Sequence, residues 1–166
     1  MMGWKIVVTG ILIGMAGAGP ARAGCTDPGE PDVDWQSCNF DRQDLKSVDL
    51  TGAKLRDASF KRADLAGANL SKADAFRAKF ISAKSSKAKF DGARLAQADL
   101  TKAELTGASF RNADLRQAQL FRAILRGADM TGANMRGADI LKADFTGATW
   151  IDGKRVCAEG SIGKCR

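Results

Sequence analysis

The chain has 166 residues and a formal net charge of +7 at pH 7, from 26 Lys and Arg against 19 Asp and Glu. It contains four cysteines and neither His nor Tyr. Without His, the Ser-His-Asp and Cys-His arrangements of nucleophilic catalysis are excluded.

Residues 1–23 have the pattern of a secretory signal peptide. Lys5 supplies the positive start, and residues 6–19 form an apolar stretch that is shorter than the ~18 residues needed to span a bilayer. Ala21-Arg22-Ala23 offers a small-residue cleavage site. We predict cleavage after Ala23, no transmembrane segment in the mature chain, and a periplasmic or secreted location. Ala23-Gly24-Cys25 is similar to the end of a lipobox, but Arg22 stands where Leu is expected, which argues against lipidation.

Alanine occupies every fifth position 20 times in succession, from Ala53 to Ala148. A bulky apolar residue follows most of these alanines two positions later. Five residues advance an α-helix by about 500°, so this period leaves no apolar stripe on a helix. An odd period would also switch faces in a flat strand. The chain therefore needs one bend in every repeat, and the Gly-rich last two positions suit such a bend.

The repeated pattern Ala-(Asp/Asn)-Leu-x-x resembles the pentapeptide-repeat family from about Cys38 to Ile151. The resemblance implies an all-β fold, a right-handed quadrilateral parallel β-helix with four repeats per coil. The repeats centred on Phe40 to Trp150 would form about six coils and a rod roughly 28 Å long. The predicted domains are the signal peptide 1–23, an N-terminal cap 24–37, the pentapeptide-repeat β-helix 38–151 and a C-terminal disulfide cap 152–166.

The flanks of the repeats, Asp34–Cys38 and Trp150–Cys165, resemble those of exported pentapeptide-repeat proteins from Gram-negative bacteria. The four cysteines allow three pairings. Since the ends of such a rod lie roughly 28 Å apart, and disulfide Cα atoms approach within about 7 Å, each end should pair its own cysteines. The predicted disulfides are Cys25–Cys38 and Cys157–Cys165, which fit an oxidising compartment. A zinc site is the alternative, but the chain lacks a Cys-x-x-Cys pair, so we predict no metal.

In a coil of four repeats, each side chain stacks on the equivalent one four repeats later, and columns can be read from the sequence. Inside, Phe40, Phe60 and Phe80 should stack on one face, and Phe90 and Phe110 on another. Ala75 and Ser85 interrupt the bulky interior positions. We expect an underpacked core there, and a buried Ser85 hydroxyl that needs a partner.

One outward column is basic and consists of Arg42, Arg62, Ser82, Lys102, Arg122 and Lys142. It could serve as a ladder of cations for an anionic polymer. Four of its five cations are followed two residues later by a carboxylate: Asp44, Asp64, Glu104 and Asp144. This spacing predicts that ion pairs across the corner neutralise most of the column.

Residues 72–94 hold seven basic and two acidic residues. The candidates for binding an anionic surface in this basic ring are Lys79, Lys84, Lys87, Lys89 and Arg94. The alternative is that solvated lysines only block lateral strand pairing. Outward apolar residues are the candidates for a protein contact or a dimer interface: Ile81, Phe121, Ile124 and Leu141. Scattered apolar surface residues are also normal.

The sequence thus predicts a non-catalytic exported scaffold or binding module in the cell envelope, monomeric or weakly dimeric. Its partner would be an unidentified protein or an anionic envelope component. The first alternative is a binder of an anionic surface or acidic polymer through the basic ring. A second, gyrase inhibition by DNA mimicry, is implied by the family, but the basic charge and predicted export oppose it. Export also argues against nucleic-acid binding. A narrow solid rod leaves no room for a typical pocket, so we predict neither an enzyme nor a cofactor.

Overall fold

The computed structural model describes residues 24–166, and the predicted signal peptide with its cleavage site after Ala23 lies outside these residues. Residues 24–166 contain no helix and no continuous strand. These residues therefore include no helix that is long and apolar enough to cross a membrane. The regular element is instead a single parallel β-bridge that recurs in every repeat.

Each parallel bridge joins a residue to the equivalent one four repeats later, from Asp34–Lys54 at the start to Asp129–Thr149 at the end. The Leu65 amide donates to the Lys84 carbonyl at 2.6 Å, and the Lys84 amide donates to the Ala63 carbonyl at 2.9 Å. One coil therefore holds four repeats. The number of coils stays a prediction, because no continuous strand among residues 24–166 marks where a coil begins.

A tight turn closes every repeat. The Ala53 amide donates to the Leu50 carbonyl at 3.1 Å, and Gly52 between them has a φ of +70°. A positive φ at the third residue of a four-residue turn is the geometry of a type II turn. The same left-handed position recurs in every repeat from Asp32 to Gly147 and is glycine at eight places and another residue at sixteen. We call each stack of these positions, one from each coil, a corner of the rod.

The core is filled by the alanine and bulky apolar columns, which are almost completely buried. The predicted aromatic ladders are confirmed. Phe60 stacks on Phe40 and Phe80 at centroid distances of 5.4 and 5.1 Å, and Phe90 stacks on Phe110 at 4.9 Å. Phe80 and Phe90 also meet edge to face at 5.9 Å, which joins the two ladders.

Ala75 and Ser85 lie two repeats apart, on opposite faces of one coil, close to this contact between Phe80 and Phe90. Ser85 is only 1% exposed, and its hydroxyl has no hydrogen-bond partner among the described residues. The small side chains leave room for the two rings, and the Ser85 hydroxyl is a buried polar group in apolar surroundings.

The tail residues 155–163 fold back onto the last coil. Antiparallel bridges join Thr149 to Val156 and Asp144 to Ile162, so the tail covers two of the four faces. Both predicted cysteine pairs lie at disulfide distance. The Cα atoms are 5.4 Å apart for Cys25 and Cys38 and 4.9 Å apart for Cys157 and Cys165.

Ion pairs between coils follow a common pattern. The cation directly precedes a corner position, and the carboxylate lies on the next coil: Lys46–Asp64 at 3.4 Å, Arg56–Asp74 at 3.2 Å, and Arg111–Asp129 and Arg126–Asp144 at 2.5 Å. Partial burial raises the pKa of Asp144, but hydrogen bonds from Thr146 and Arg126 outweigh it, so the pKa lies below its ordinary value of 3.8. The bond from the Arg116 side chain is the main cause of the lowered pKa of Asp114.

We expect Ser85→Ala to raise the free energy of unfolding by about 1 kcal/mol, because it removes a buried hydroxyl that has no protein partner. Chemical denaturation measures the change. Ser161→Ala is the matched control. Ser161 is also buried, but its hydroxyl donates to the Ala158 carbonyl at 2.7 Å, so its removal should lower stability. A loss of stability in Ser85→Ala would mean that its hydroxyl is satisfied, and the prediction would be wrong.

We also expect acid to weaken the fold. A carboxylate whose pKa is lowered by folding, such as Asp144, stabilises the protein fully above its unfolded pKa of 3.8 and loses that contribution as the pH falls through its folded pKa. The free energy of unfolding should therefore stay level above about pH 5 and decline below about pH 4. Urea titrations at a series of pH values measure this profile. Arg126→Gln should make the decline shallower, and an unchanged slope would contradict the assignment to this pair.

Candidate functional site

The basic ring predicted from residues 72–94 is distributed around one coil, as the period of five predicts. Lys79, Lys84, Lys89 and Arg94 are exposed, but a step of one repeat moves the chain to the next face, so each lies on a different face of the rod. Lys87 lies at a corner between two of these faces. A flat partner could therefore contact only a part of the ring at one time.

A second set of cations does share one surface. The four-repeat register aligns the column that we call the basic corner: Arg42, Arg62, Ser82, Lys102, Arg122 and Lys142. All five of its cations are exposed. Each of the other three corners carries a single basic residue, Lys72, Arg77 or Lys87. The positive charge of the corners is thus concentrated on one edge of the rod.

The prediction that ion pairs neutralise this column is wrong. Within residues 24–166, none of the five cations lies within 4.0 Å of a carboxylate. Three of the four expected carboxylates pair with cations at the other end of their own face. Lys46 binds Asp44 at 3.3 Å and Asp64 at 3.4 Å, and Arg126 binds Asp144. The basic corner therefore keeps its charge.

The basic corner also contains no glycine. Its six residues all have φ between +55° and +62°, the left-handed region that disfavours side chains by about 1 kcal/mol or more. By contrast, the corner that contains Lys87 has glycine at four positions: Gly67, Gly107, Gly127 and Gly147. Long cationic side chains are thus kept where glycine would be less strained. A residue other than glycine holds this conformation at sixteen of the 24 corner positions, so the conformation alone does not mark a functional position.

Apolar side chains lie directly beside the basic corner. Ile81, Phe121 and Leu141 each precede a corner residue, and Leu141 is 60% exposed. Ile81 and Phe121 are only partly exposed. The Phe121 ring is covered by the Arg122 guanidinium at 5.2 Å and the Lys142 ammonium at 6.0 Å. These cation–π contacts hold two corner cations next to the ring.

The apolar surface continues onto the adjoining face near the C-terminal end. Ile124 and Ile162 both form bridges with Asp144, and they are 38% and 46% exposed. Sequence reasoning identified Ile124 but missed Ile162. The position of Ile162 depends on how the tail folds back onto the last coil. The tail contains no repeat, so its pairing with the coil could not be predicted from the sequence.

The middle of the basic corner is a groove of about 580 Å³. It forms where the shorter side chains of Ile81 and Ser82 lie on the coil between those of Arg62 and Lys102, and Thr101 also lines it. Asp41, at the rim, already accepts hydrogen bonds from the Ser59 hydroxyl at 2.6 Å and the Lys61 amide at 2.9 Å. The groove therefore offers cations on two sides of a floor with two hydroxyl groups, an arrangement that suits an anionic group. No cluster of side chains that could hold a metal ion occurs in the described range 24–166.

Comparison with known proteins agrees with this architecture. The family profile for pentapeptide repeats matches eight copies, at residues 32–62, 44–80, 86–117 and 113–149. Among solved structures, HetL from the cyanobacterium Nostoc sp. strain PCC 7120, a pentapeptide repeat protein involved in heterocyst differentiation regulation, is 31% identical. The match covers 74% of this chain and 70% of HetL, with a TM-score of 0.46.

QnrB1, a plasmid-mediated fluoroquinolone resistance protein, is 23% identical in its trypsin-treated form, with a TM-score of 0.68. This match covers 71% of the chain and 60% of QnrB1, and at this identity it shows the fold alone. No curated protein matches the chain. The fold of these relatives is a right-handed quadrilateral β-helix. Since the family profile spans more than half of the sequence, the chain belongs to the pentapeptide repeat family.

Proposed function

We propose that the protein is a non-catalytic binding module of the cell envelope that attaches to an anionic lipid surface through its basic corner. The observation that carries this proposal is the line of five exposed cations, Arg42, Arg62, Lys102, Arg122 and Lys142, without carboxylate partners among residues 24–166. Each Lys or Arg near an anionic membrane surface contributes about 1 kcal/mol to binding.

The shape of the rod supports this partner. At about 4.8 Å per coil, the five intervals from Arg42 to Lys142 make a continuous edge roughly 24 Å long. Because the five cations share this one edge, they could contact headgroups of the same surface together. Phe121 and Leu141 lie at the C-terminal part of the edge, where their apolar side chains would enter the interfacial region.

Other functions have weaker support. The basic ring has its cations on four faces, so it suits a flat surface less well than the corner does. DNA mimicry needs an acidic rod, whereas this chain is basic. Regulation of heterocyst differentiation and fluoroquinolone resistance are described for HetL and QnrB1, which differ from this chain at most positions. A protein partner is the remaining alternative, and the apolar residues beside the corner would be its contact.

The proposed location is the periplasm or the exterior, reached through the signal peptide 1–23. In this oxidising environment both cysteine pairs would form disulfides and cover the two ends of the rod. Closing the ends limits the pairing of exposed backbone groups with other chains.

The lipid proposal predicts a specific loss of binding. Arg62→Gln, Lys102→Gln and Arg122→Gln combined should weaken attachment to phosphatidylglycerol vesicles on the order of a hundredfold at low salt. Co-sedimentation of the oxidised mature protein measures this affinity. The wild-type protein should release at high salt, because screening weakens attraction between exposed charges.

The matched control changes the same number of charges away from the basic corner, two at other corners and one on a face: Lys72→Gln, Lys87→Gln and Lys89→Gln combined. This variant should keep most of its affinity. Equal losses in both variants would mean that net charge alone governs binding, and undiminished binding by the corner variant would refute the proposal. Capture of an envelope protein that survives high salt and is lost in Phe121→Ser would favour the protein scaffold instead.

The predicted export and signal-peptide cleavage can be tested separately from lipid binding. Expression of the full chain in a Gram-negative host should yield a periplasmic or secreted protein that begins at Gly24, with a mass lower by four hydrogen atoms than the reduced form, as two disulfides require. Intact mass spectrometry of periplasmic extract and of culture medium distinguishes the two locations. A cytoplasmic protein that retains residues 1–23 would contradict this part of the proposal.

A further inference from the structure

A second concave site lies at the corner that contains Arg77, Gln97 and Gln117. In the column that precedes this corner, Arg56, Phe76, Arg116 and Arg136 have long side chains, but Ala96 has only a methyl group. Ala96 is 7% exposed and forms the floor of a gap between Phe76 and Arg116, which are two coils apart, or about 10 Å. The gap has a volume of about 440 Å³, and we call it the arginine notch.

One wall of the arginine notch is an aromatic ring that is stacked with guanidinium groups. Phe76 occupies an outward position that is polar in most repeats. The guanidinium carbons of Arg56 and Arg94 each lie 4.9 Å from its ring centroid. Arg94 is also held by the Asp74 carboxylate at 3.4 Å. Its planar group is thus fixed beside the ring at the entrance to the gap.

The opposite wall contains one arginine that is paired with a carboxylate and one that is not. Arg116 is oriented by two hydrogen bonds of 2.8 Å to the Asp114 carboxylate. Arg136 lies beyond it and has no carboxylate within 4.0 Å among the described residues. The Gln97 amide donates to the Gln117 oxygen at 3.1 Å, which leaves the Gln117 NH₂ group free to donate to a ligand.

We propose that the arginine notch binds a small aromatic anion, that is, a flat ring that carries a phosphate or carboxylate group. A guanidinium group presents parallel N–H donors that match the oxygens of such an anion, and it also stacks on flat rings. The anionic group would lie against the unpaired Arg136 and the Gln117 NH₂ group, and the ring would lie over Ala96 against the Arg94 guanidinium. The volume of the gap is within the range of small-molecule sites. The inference does not depend on the proposed lipid binding, which uses another corner.

Titration with phenyl phosphate tests the inference, with NMR detection of the arginine Nε and glutamine amide signals of the isotope-labelled, oxidised mature protein. Inorganic phosphate and phenol serve as probes of the two halves of the ligand. We expect phenyl phosphate to shift the signals of Arg94, Arg116 and Gln97 and to bind at least tenfold more tightly than inorganic phosphate. Phenol alone should cause no shift at the same concentration.

Ala96→Leu fills the gap without changing the charge and should weaken phenyl phosphate binding at least tenfold. Ala66→Leu is the matched control, since Ala66 has the same position in its repeat on another face, and it should bind as the wild type does. Arg136→Gln should weaken binding severalfold, whereas Arg126→Gln, at the same repeat position on a different face, should not.

Equal binding of phenyl phosphate and inorganic phosphate would overturn the inference, as would undiminished binding by Ala96→Leu, because exposed arginines would then be acting as a general anion surface. Both alanines lie at outward positions that hold Arg or Phe in other repeats, so the variants should fold. Attachment to phosphatidylglycerol vesicles should be the same in Ala96→Leu and wild type, so the two proposals can fail independently.

Discussion

The parallel pairing of each residue with its equivalent on the next coil is the constraint on which the rest of the molecule depends. It is made of single backbone bridges, such as Lys84 with Glu104, and of one tight turn per repeat. Because four equal repeats fill one coil, every column continues in register from one coil to the next. The buried alanines, the stacked phenylalanines and the ion pairs between coils are all consequences of this register.

At the corners, the residue that the backbone conformation favours can be compared with the residue that the sequence contains. Backbone geometry favours glycine at a left-handed position, and three of the corners contain it. The basic corner contains arginine and lysine instead, although nothing in the packing of the core requires them. Since three of their four carboxylate neighbours pair with Lys46 and Arg126, and none of the four lies within 4.0 Å of a corner cation, the cations remain available to a partner outside the protein. The packing of the core therefore does not account for the charge on this edge.

Much of this could be predicted from the sequence, because a period of five determines which side chains point inward. The phenylalanine ladders and the proximity of each cysteine pair follow from that period. The period of five did not predict which carboxylate pairs with which cation. Side chains on either side of a corner diverge, whereas those on the same face of adjacent coils lie side by side, as in Arg56 and Asp74. The arginine notch was also missed, since it arises from one small residue, Ala96, among long ones on neighbouring coils.

Because the register is uniform, the insertion or deletion of one repeat rotates the following part of the rod relative to the preceding part. Deletion of a single repeat between Lys102 and Arg122 would leave every other repeat intact, yet it would turn the remainder of the rod by one face. Arg122 and Lys142 would then extend a different edge from Arg42 and Arg62. A change of one whole coil would preserve every edge and alter only the length. In such a protein, evolution can lengthen or redirect a binding surface by copying repeats, without redesigning the core.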